Sequence, residues 1–336
     1  MASVSCGQEI TQDTTLDGDL TCAEGPAIVI AADGVTLDLG GFTVSGEGGA
    51  EAGAGPGILL RGVSGCRVRN GTVEHFGAGV VISGGSGNVV ERVTAQDNIG
   101  STSGDFGDGI VVSNSRENKI RNNVVQRNGP FSGISLVEEC HANEVRNNAV
   151  TNNNMSHVAD PAAGRQAMGI RIEGPAAHHN KVVRNTVTGS GSNGIVVLPT
   201  CTSMDNCAGT PPNEQNEISR NHSNNNGTSG RGDGIKLFMV ANPVPPTENT
   251  ITQNVANNNA TNGIGIDQGA TNNQITKNRA RGNGQFDAYD GNTQPPCGTN
   301  TWQDNQFGLV SQPCTRAPQA TAPSGLQATP AAGPGA

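Results

Sequence analysis

The sequence predicts an all-β solenoid, a parallel β-helix, on three observations. Asparagine recurs in three linked columns, single aliphatic residues sit at fixed offsets between them, and a short glycine-headed strand opens each repeat. A repeat of about 20–40 residues with variable insertions marks a chain whose units bury their apolar side only against their neighbours.

The columns follow the pattern N-x-[IV]-x-x-N-x-[VAS]-x-x-N. The first holds Asn88, Asn118, Asn143, Asn180, Asn216, Asn249 and Asn273. Five residues on come Asn123, Asn148, Asn185, Asn221, Asn254 and Asn278, with Val93 as the exception. Ten residues on come Asn98, Asn128, Asn153, Asn226, Asn259 and Asn283, with Ser190 as the exception. Asparagine tolerates the left-handed backbone region, and its amide bonds nearby main chain, so these positions are read as bends. At a rung spacing of about 4.8 Å the amides are expected to bond to one another up the coil.

Val90, Ile120, Val145, Val182, Ile218, Ile251 and Ile275 follow the first column, and Val125, Val150, Val187 and Ala256 the second. The glycine-headed strands are Gly57–Leu60, Gly79–Ile82, Gly109–Val112, Gly133–Leu136, Gly169–Ile172, Gly194–Val197, Gly234–Leu237 and Gly263–Ile266. Their period of two is that of a strand. Three strands per repeat, separated by bends, make one turn of the helix, and about nine to ten coils are expected. Residues 1–24 read as an N-terminal cap, 25–314 as the helix with its C-terminal cap, and 315–336 as a flexible Ala/Pro/Gly-rich tail.

Composition agrees. With 33% hydrophobic and 3% aromatic residues, a globular core would be thin for 336 residues, whereas a solenoid encloses a narrow aliphatic column. No stretch approaches the ~18 apolar residues of a membrane span. Eight cysteines point to an oxidising compartment. Natural pairs are Cys6–Cys22, Cys201–Cys207 and Cys297–Cys314. Cys66 and Cys140 fall three coils apart, roughly 14 Å, too far for a disulfide, and are expected as free buried thiols. Met1 leads into Cys6 without a basic start or apolar core, so an export signal is expected to lie outside these residues. A net charge of −9 argues against a general nucleic-acid or anionic-membrane surface, though not against a local cationic groove.

These repeats resemble the right-handed parallel β-helix proteins of the pectin-lyase-like superfamily, in particular its secreted carbohydrate-binding and sugar-hydrolase-type repeats. The resemblance covers roughly residues 25 to 310. The closing run from Phe286 to Asn292, with Cys297, Trp302 and Cys314, is similar to the last coil and cap of bacterial members. It implies a secreted or periplasmic monomer that meets a polysaccharide or other glycan. It does not fix the chemistry, since the architecture hosts lyases, hydrolases, epimerases and non-catalytic proteins.

Insertions gather just before and just after the glycine-headed strand, so that strand is the expected floor of a cleft. Alternation sends the third residue of each tetrapeptide outward. That column reads Leu59, Val81, Val111, Ser135, Arg171, Val196, Lys236, Gly265 and then Asp287. Its neighbour reads Arg61, Ser83, Ser113, Val137, Glu173, Leu198, Phe238, Asp267 and then Tyr289.

Charge concentrates in the later coils, and these residues form the expected site. Arg171 would hold a uronate carboxylate, and Lys236, deprotonated with help from a nearby cation, would take the acidic C5 proton. Tyr289 or a carboxylate would return a proton to the leaving oxygen. Glu173, Asp267, Asp287 and Phe238 would bind substrate, and His157, Asp160 and Arg165 share a loop expected to cover the groove. Similar lyases use calcium, for which Asp105, Asp108 and Asp233 are the nearest loop acids. Asp233 and Asp267 would alternatively serve as the carboxylate pair of a glycoside hydrolase. The same charges also fit a solvated ladder on a non-catalytic carbohydrate-binding protein. Arg231-Gly-Asp233 has the form of an adhesion tripeptide but suits a glycine-rich turn, and His178-His179 reads as surface. Six His and five Met, unclustered, do not suggest a copper site.

Overall fold

The computed structural model describes residues 4–47, 55–100, 107–155, 167–174, 176–198, 211–239 and 244–316. They form a three-faced coil whose strand pairs are all parallel. The first face stacks eleven strands, from Gln8–Ile10 through Met168–Glu173 to Phe286–Asp290. The count exceeds nine to ten because residues before 25 make their own rung. There Gln8–Ile10 pairs with Ile28–Ile30, and Leu20–Cys22 with Thr43–Gly46. The other two faces carry short strands such as Lys119–Arg121 and Val124–Gln126, separated by a two-residue corner.

Register places the aliphatic residues in single file. Ile110, Ile134, Ile170, Ile195, Ile235 and Ile264 are successive partners, and none is exposed to solvent. Ile172, Val197, Leu237 and Ile266 make the parallel interior file. The column is narrow, so each rung contributes only a few side chains and depends on the rungs above and below.

The asparagines form ladders. Asn143 Nδ2 donates to Asn180 Oδ1 at 3.1 Å, and Asn180 Nδ2 to Asn216 Oδ1 at 3.1 Å. The backbone N–H of each rung's asparagine donates to the same oxygen, at 3.0 Å from Asn143 and 2.9 Å from Asn180. The second amide hydrogen goes to main chain, as from Asn180 to the Cys140 carbonyl at 2.9 Å. The ladders run on through Asn300 and Asn305 in the cap.

One detail corrects the sequence reading. The left-handed residue at these corners is the one before each ladder asparagine, such as Ala142 (φ 55°), His179 (φ 56°) and Gln215 (φ 55°). Its side chain turns toward solvent, so residue type varies there. The following asparagine turns into the corner, where only a carboxamide satisfies both neighbours.

Disulfides Cys6–Cys22 and Cys297–Cys314 close the ends. Cys66 and Cys140 are free and buried, as expected. Burial pushes the Cys140 thiol up to about 11, against the pull of main-chain hydrogen bonds, so it is unreactive at neutral pH. Cys201 and Cys207 lie outside the described residues. Among the described residues no helix is long and apolar enough to cross a membrane.

Candidate functional site

The outward column of the first face follows the expected order from Leu59 to Gly265, through Ser135, Arg171, Val196 and Lys236. It then differs. Tyr289, not Asp287, stands opposite Gly265, because Phe286 pairs with Asn262 and shifts the last strand by two residues. No glycine heads that strand to mark its start. Asp287 is consequently buried beneath the cap. It accepts hydrogen bonds from Gly308 N and Leu309 N at 2.9 Å each and from Asn283 Nδ2 at 2.8 Å. Its place is structural, where substrate binding was expected.

Arg171 and Lys236 are two rungs apart, about 10 Å, with the fully covered Val196 between them. Each is held by carboxylates. Arg171 Nη1 meets Glu173 Oε2 at 2.6 Å, and Nη2 lies 3.7 Å from Asp108 Oδ2. Ser135 joins them, donating to Asp108 Oδ1 at 2.6 Å and accepting from Arg171 Nε at 3.3 Å. The Phe131 ring lies 5.4 Å from the guanidinium carbon. Burial pushes the Asp108 carboxyl above its ordinary value, opposed by Arg171 and Ser135.

Lys236 sits between Asp267 Oδ1 at 2.6 Å and Asp233 Oδ2 at 3.1 Å, with its ammonium 5.7 Å from the Tyr289 ring centre. Burial works against its charge, but the two carboxylates outweigh burial and raise its pKa above the ordinary lysine value. The neutral lysine expected of a general base is therefore not what this environment favours. The neighbour that matters is an acid pair, not Arg171. Asp233 is pinned by Asn262 N at 2.9 Å and Asn262 Nδ2 at 3.0 Å. Gly265 leaves room for it, since a Cβ there would fall 2.1 Å from Asp233 Oδ2.

Beside Arg171 opens a cleft of about 460 Å³. Arg171, Glu173 and Phe238 line it, joined by Phe131, Met168, Asn193 and Arg231. The sequence reading missed Phe131, Met168, Asn193 and the part played by Arg231. The available signal was scarcity: in a chain with seven Phe, one Tyr and one Trp, an aromatic on either flank of a groove-floor strand is conspicuous. His157, Asp160, Arg165 and Asp105 lie outside the described residues.

Among the described residues, the acids expected for calcium stand apart. Asp108 and Asp233 lie four rungs apart, and each is turned toward its own cation, so they do not share a calcium site. Asp233 and Asp267 fit a hydrolytic pair poorly, because the lysine ammonium fills the space where a scissile bond would lie. Glu74, His75 and Asp97, on another face, form the one group among the described residues with three ligand-type atoms in mutual reach. Asp97 is already engaged by Arg127 at 2.6 and 2.8 Å. His178 and His179 lie at a bend, their Nδ1 atoms 2.7 Å apart, with His141 stacked at 5.1 Å from His178.

Residues 50–208 match the family described as the right-handed β-helix region. Among curated proteins none matches. Several solved structures are similar in fold. Pectate lyase Pel9A aligns with a TM-score of 0.57 at 13% identity, over 94% of this chain and 82% of its own. The A-module of the Azotobacter vinelandii mannuronan C-5 epimerase AlgE4 gives 0.50 at 13% identity, over 84% of each chain. The Dettilon tailspike protein gp208 gives 0.55 at 15% identity, over 89% of this chain but only 51% of the tailspike's length. At these identities the likeness is one of fold.

Proposed function

Taking the chain as a right-handed parallel β-helix of the pectin-lyase-like superfamily, we propose that it binds a uronate-containing polysaccharide outside the cytoplasm and acts on it at C5 as a lyase or epimerase. The observation that carries this reading is the cleft, where Arg171 and Arg231 lie among Phe131, Phe238 and Met168. Sugar rings present apolar faces that suit aromatic walls, and a uronate adds one carboxylate per ring for an arginine fork to hold. Two of the similar structures are named for pectate and mannuronan, both uronate polymers.

Loss of the C5 proton moves negative charge onto the adjacent carboxylate. Fixed cations stabilise that charge without reorganising. Arg171 and Lys236 suit this role because carboxylate partners keep both side chains in place, and those at Lys236 also raise its pKa. Tyr289, beside the Lys236 ammonium, is the proton carrier in this proposal. In a lyase the C5–H and C4–O bonds break and a C4–C5 double bond forms: water takes the C5 proton, and Tyr289 gives its phenolic proton to the departing oxygen and regains one from solvent. In an epimerase water takes the C5 proton from one face and Tyr289 returns a proton to the opposite face. No step here requires calcium.

Incubation with polygalacturonate and with mannuronan in deuterated buffer tests the reading. A lyase releases unsaturated uronate that absorbs in the ultraviolet, and an epimerase incorporates deuterium at C5 without shortening the chain. Arg171→Ala and Tyr289→Phe should each abolish turnover. A second reading, binding without chemistry, is favoured by the neutralisation of both cations by Glu173 and Asp267 at 2.6 Å. Binding of the polymer with neither product would select it, and preference for neutral glycans would remove both.

A further inference from the structure

The second face of the coil carries a strip of positive charge unrelated to the cleft. Its strands are paired in register over five successive rungs, from Arg67–Arg69 to Lys181–Val183. Val68, Val90, Ile120, Val145 and Val182, at the centre of each triplet, are buried, so the residues on either side of each stand on the outer surface. These place Arg67 and Arg69 on the first rung, Lys119 and Arg121 on the third, Arg146 on the fourth and Lys181 on the fifth. Arg92 and Arg184 project from the adjoining corner.

Six cations on these strands and two at the adjoining corner thus meet Glu91 and Glu144 on the strands, the latter paired with Arg146 at 2.6 Å, and Glu117 at the opposite corner, in a chain whose net charge is −9. Asp38 bounds the strip at one end, 2.9 Å from Arg69 Nε, and Glu217 bounds it at the other. The strip spans four rung spacings, about 19 Å.

Glu91 braces the cations more than it cancels them. Its side chain is 4% exposed, gripped by Arg67 and by Arg121 Nη2 at 2.9 Å. Burial works to raise its pKa, but the arginines outweigh burial and hold the carboxyl below its ordinary value. The arginine side chains keep 36% exposure at Arg67 and 37% at Arg121, while Lys119, Lys181 and Arg184 are exposed. The Arg67 and Arg121 heads are therefore held in place yet partly open to solvent.

We propose that this face binds a linear acidic polysaccharide lying along the helix axis. Cations repeated at the rung spacing match a chain with recurring negative groups better than a point ion, which needs donors converging on one spot. Nucleic acid fits less well. None of the outward residues on these rungs is aromatic, so bases have nothing to stack on. The strip lies on a different sheet from the cleft, so its binding does not depend on turnover there.

The test uses the whole chain, with heparin as a sulfated probe and polygalacturonate as a carboxylated one, by calorimetry at low and physiological salt. The expected result is binding that weakens steeply with salt and falls at least tenfold in the Lys119→Glu/Lys181→Glu variant. Arg92→Glu/Arg184→Glu, at the corner, should behave alike, and both should unfold at the wild-type temperature. Unchanged affinity in both variants would overturn the proposal. So would tighter binding of single- or double-stranded DNA than of either glycan.

Discussion

Removing one ladder amide tests whether the asparagines hold the coil or only decorate it. In Asn180→Ala, Oδ1 disappears, and with it the acceptor for Asn143 N at 3.0 Å and for Asn143 Nδ2 at 3.1 Å. The groups on the donor side lose less. The Cys140 carbonyl still accepts from His178 N at 3.2 Å, and Asn216 Oδ1 still accepts from Asn180 N at 2.9 Å. Two buried donors are left unsatisfied, at about 1–3 kcal/mol each, so a destabilisation of about 2–6 kcal/mol is expected. Urea unfolding reads the total, and hydrogen exchange at the Asn143 amide should accelerate if the loss is local. Ser190→Asn is the reciprocal change. There the ladder is broken: Ser190 Oγ has no hydrogen-bond partner, and Asn153 Nδ2 reaches only the Val125 carbonyl, at 2.9 Å. Restoring the amide should stabilise the protein by about 1 kcal/mol. A loss below about 1 kcal/mol in Asn180→Ala with unchanged exchange would refute the ladder as a source of stability.

Lys236→Met leaves Asp233 buried without its cation and should cost about 3–5 kcal/mol at neutral pH. The raised pKa of Lys236 makes its own contribution complete below the ordinary lysine value and lost as pH rises through the folded value, so wild type and variant should converge in thermal scans at strongly alkaline pH. Ala142→Gly relieves a left-handed alanine (φ 55°) and should raise stability by up to about 1 kcal/mol, read as a higher urea midpoint; a lower midpoint would mean the corner is unstrained. Cys297→Ser opens a closure of 17 residues and should cost about 3 kcal/mol, with proteolysis beginning after residue 290 rather than within the coil.

Periodicity made the fold legible, and its loss marks where legibility stopped. A period of two within strands, and a fixed five-residue step between asparagines, determine which side chain is inside at every regular rung, so the file from Ile110 to Ile264 could be read residue by residue. The corner conformation could not, because the conspicuous residue and the strained residue are neighbours. Asn143 is invariant in type along its column, while the left-handed turn belongs to Ala142 before it. The last strand was misplaced by two residues for a similar reason, since Phe286–Asp290 lacks the leading glycine that sets register elsewhere. Asp287 and Tyr289 exchanged prospects on that shift alone.

The site was half visible on the same physical grounds. Arg171, Glu173 and Lys236 stand on strands, where alternation fixes direction; Phe131, Asn193 and Arg231 stand in loops ahead of the strands Ser132–Val137, Ile195–Leu198 and Ile235–Leu237, whose paths no period dictates. Charge sign was legible and charge state was not. Two cations two rungs apart suggested mutual repulsion and an easily lost proton. On a stacked sheet, however, each side chain lies nearer to the rungs beside it than to a like charge farther up the column. For Lys236 those near neighbours are Asp233 on its own coil and Asp267 on the next, and for Arg171 the near neighbour is Glu173 on its own strand, with Asp108 reaching up from two rungs below to 3.7 Å. At Lys236 those carboxylates outweigh burial and favour the charged form. Chemistry on such a surface is better served by permanent positive charges that stabilise a developing anion than by a lysine that must give up its proton.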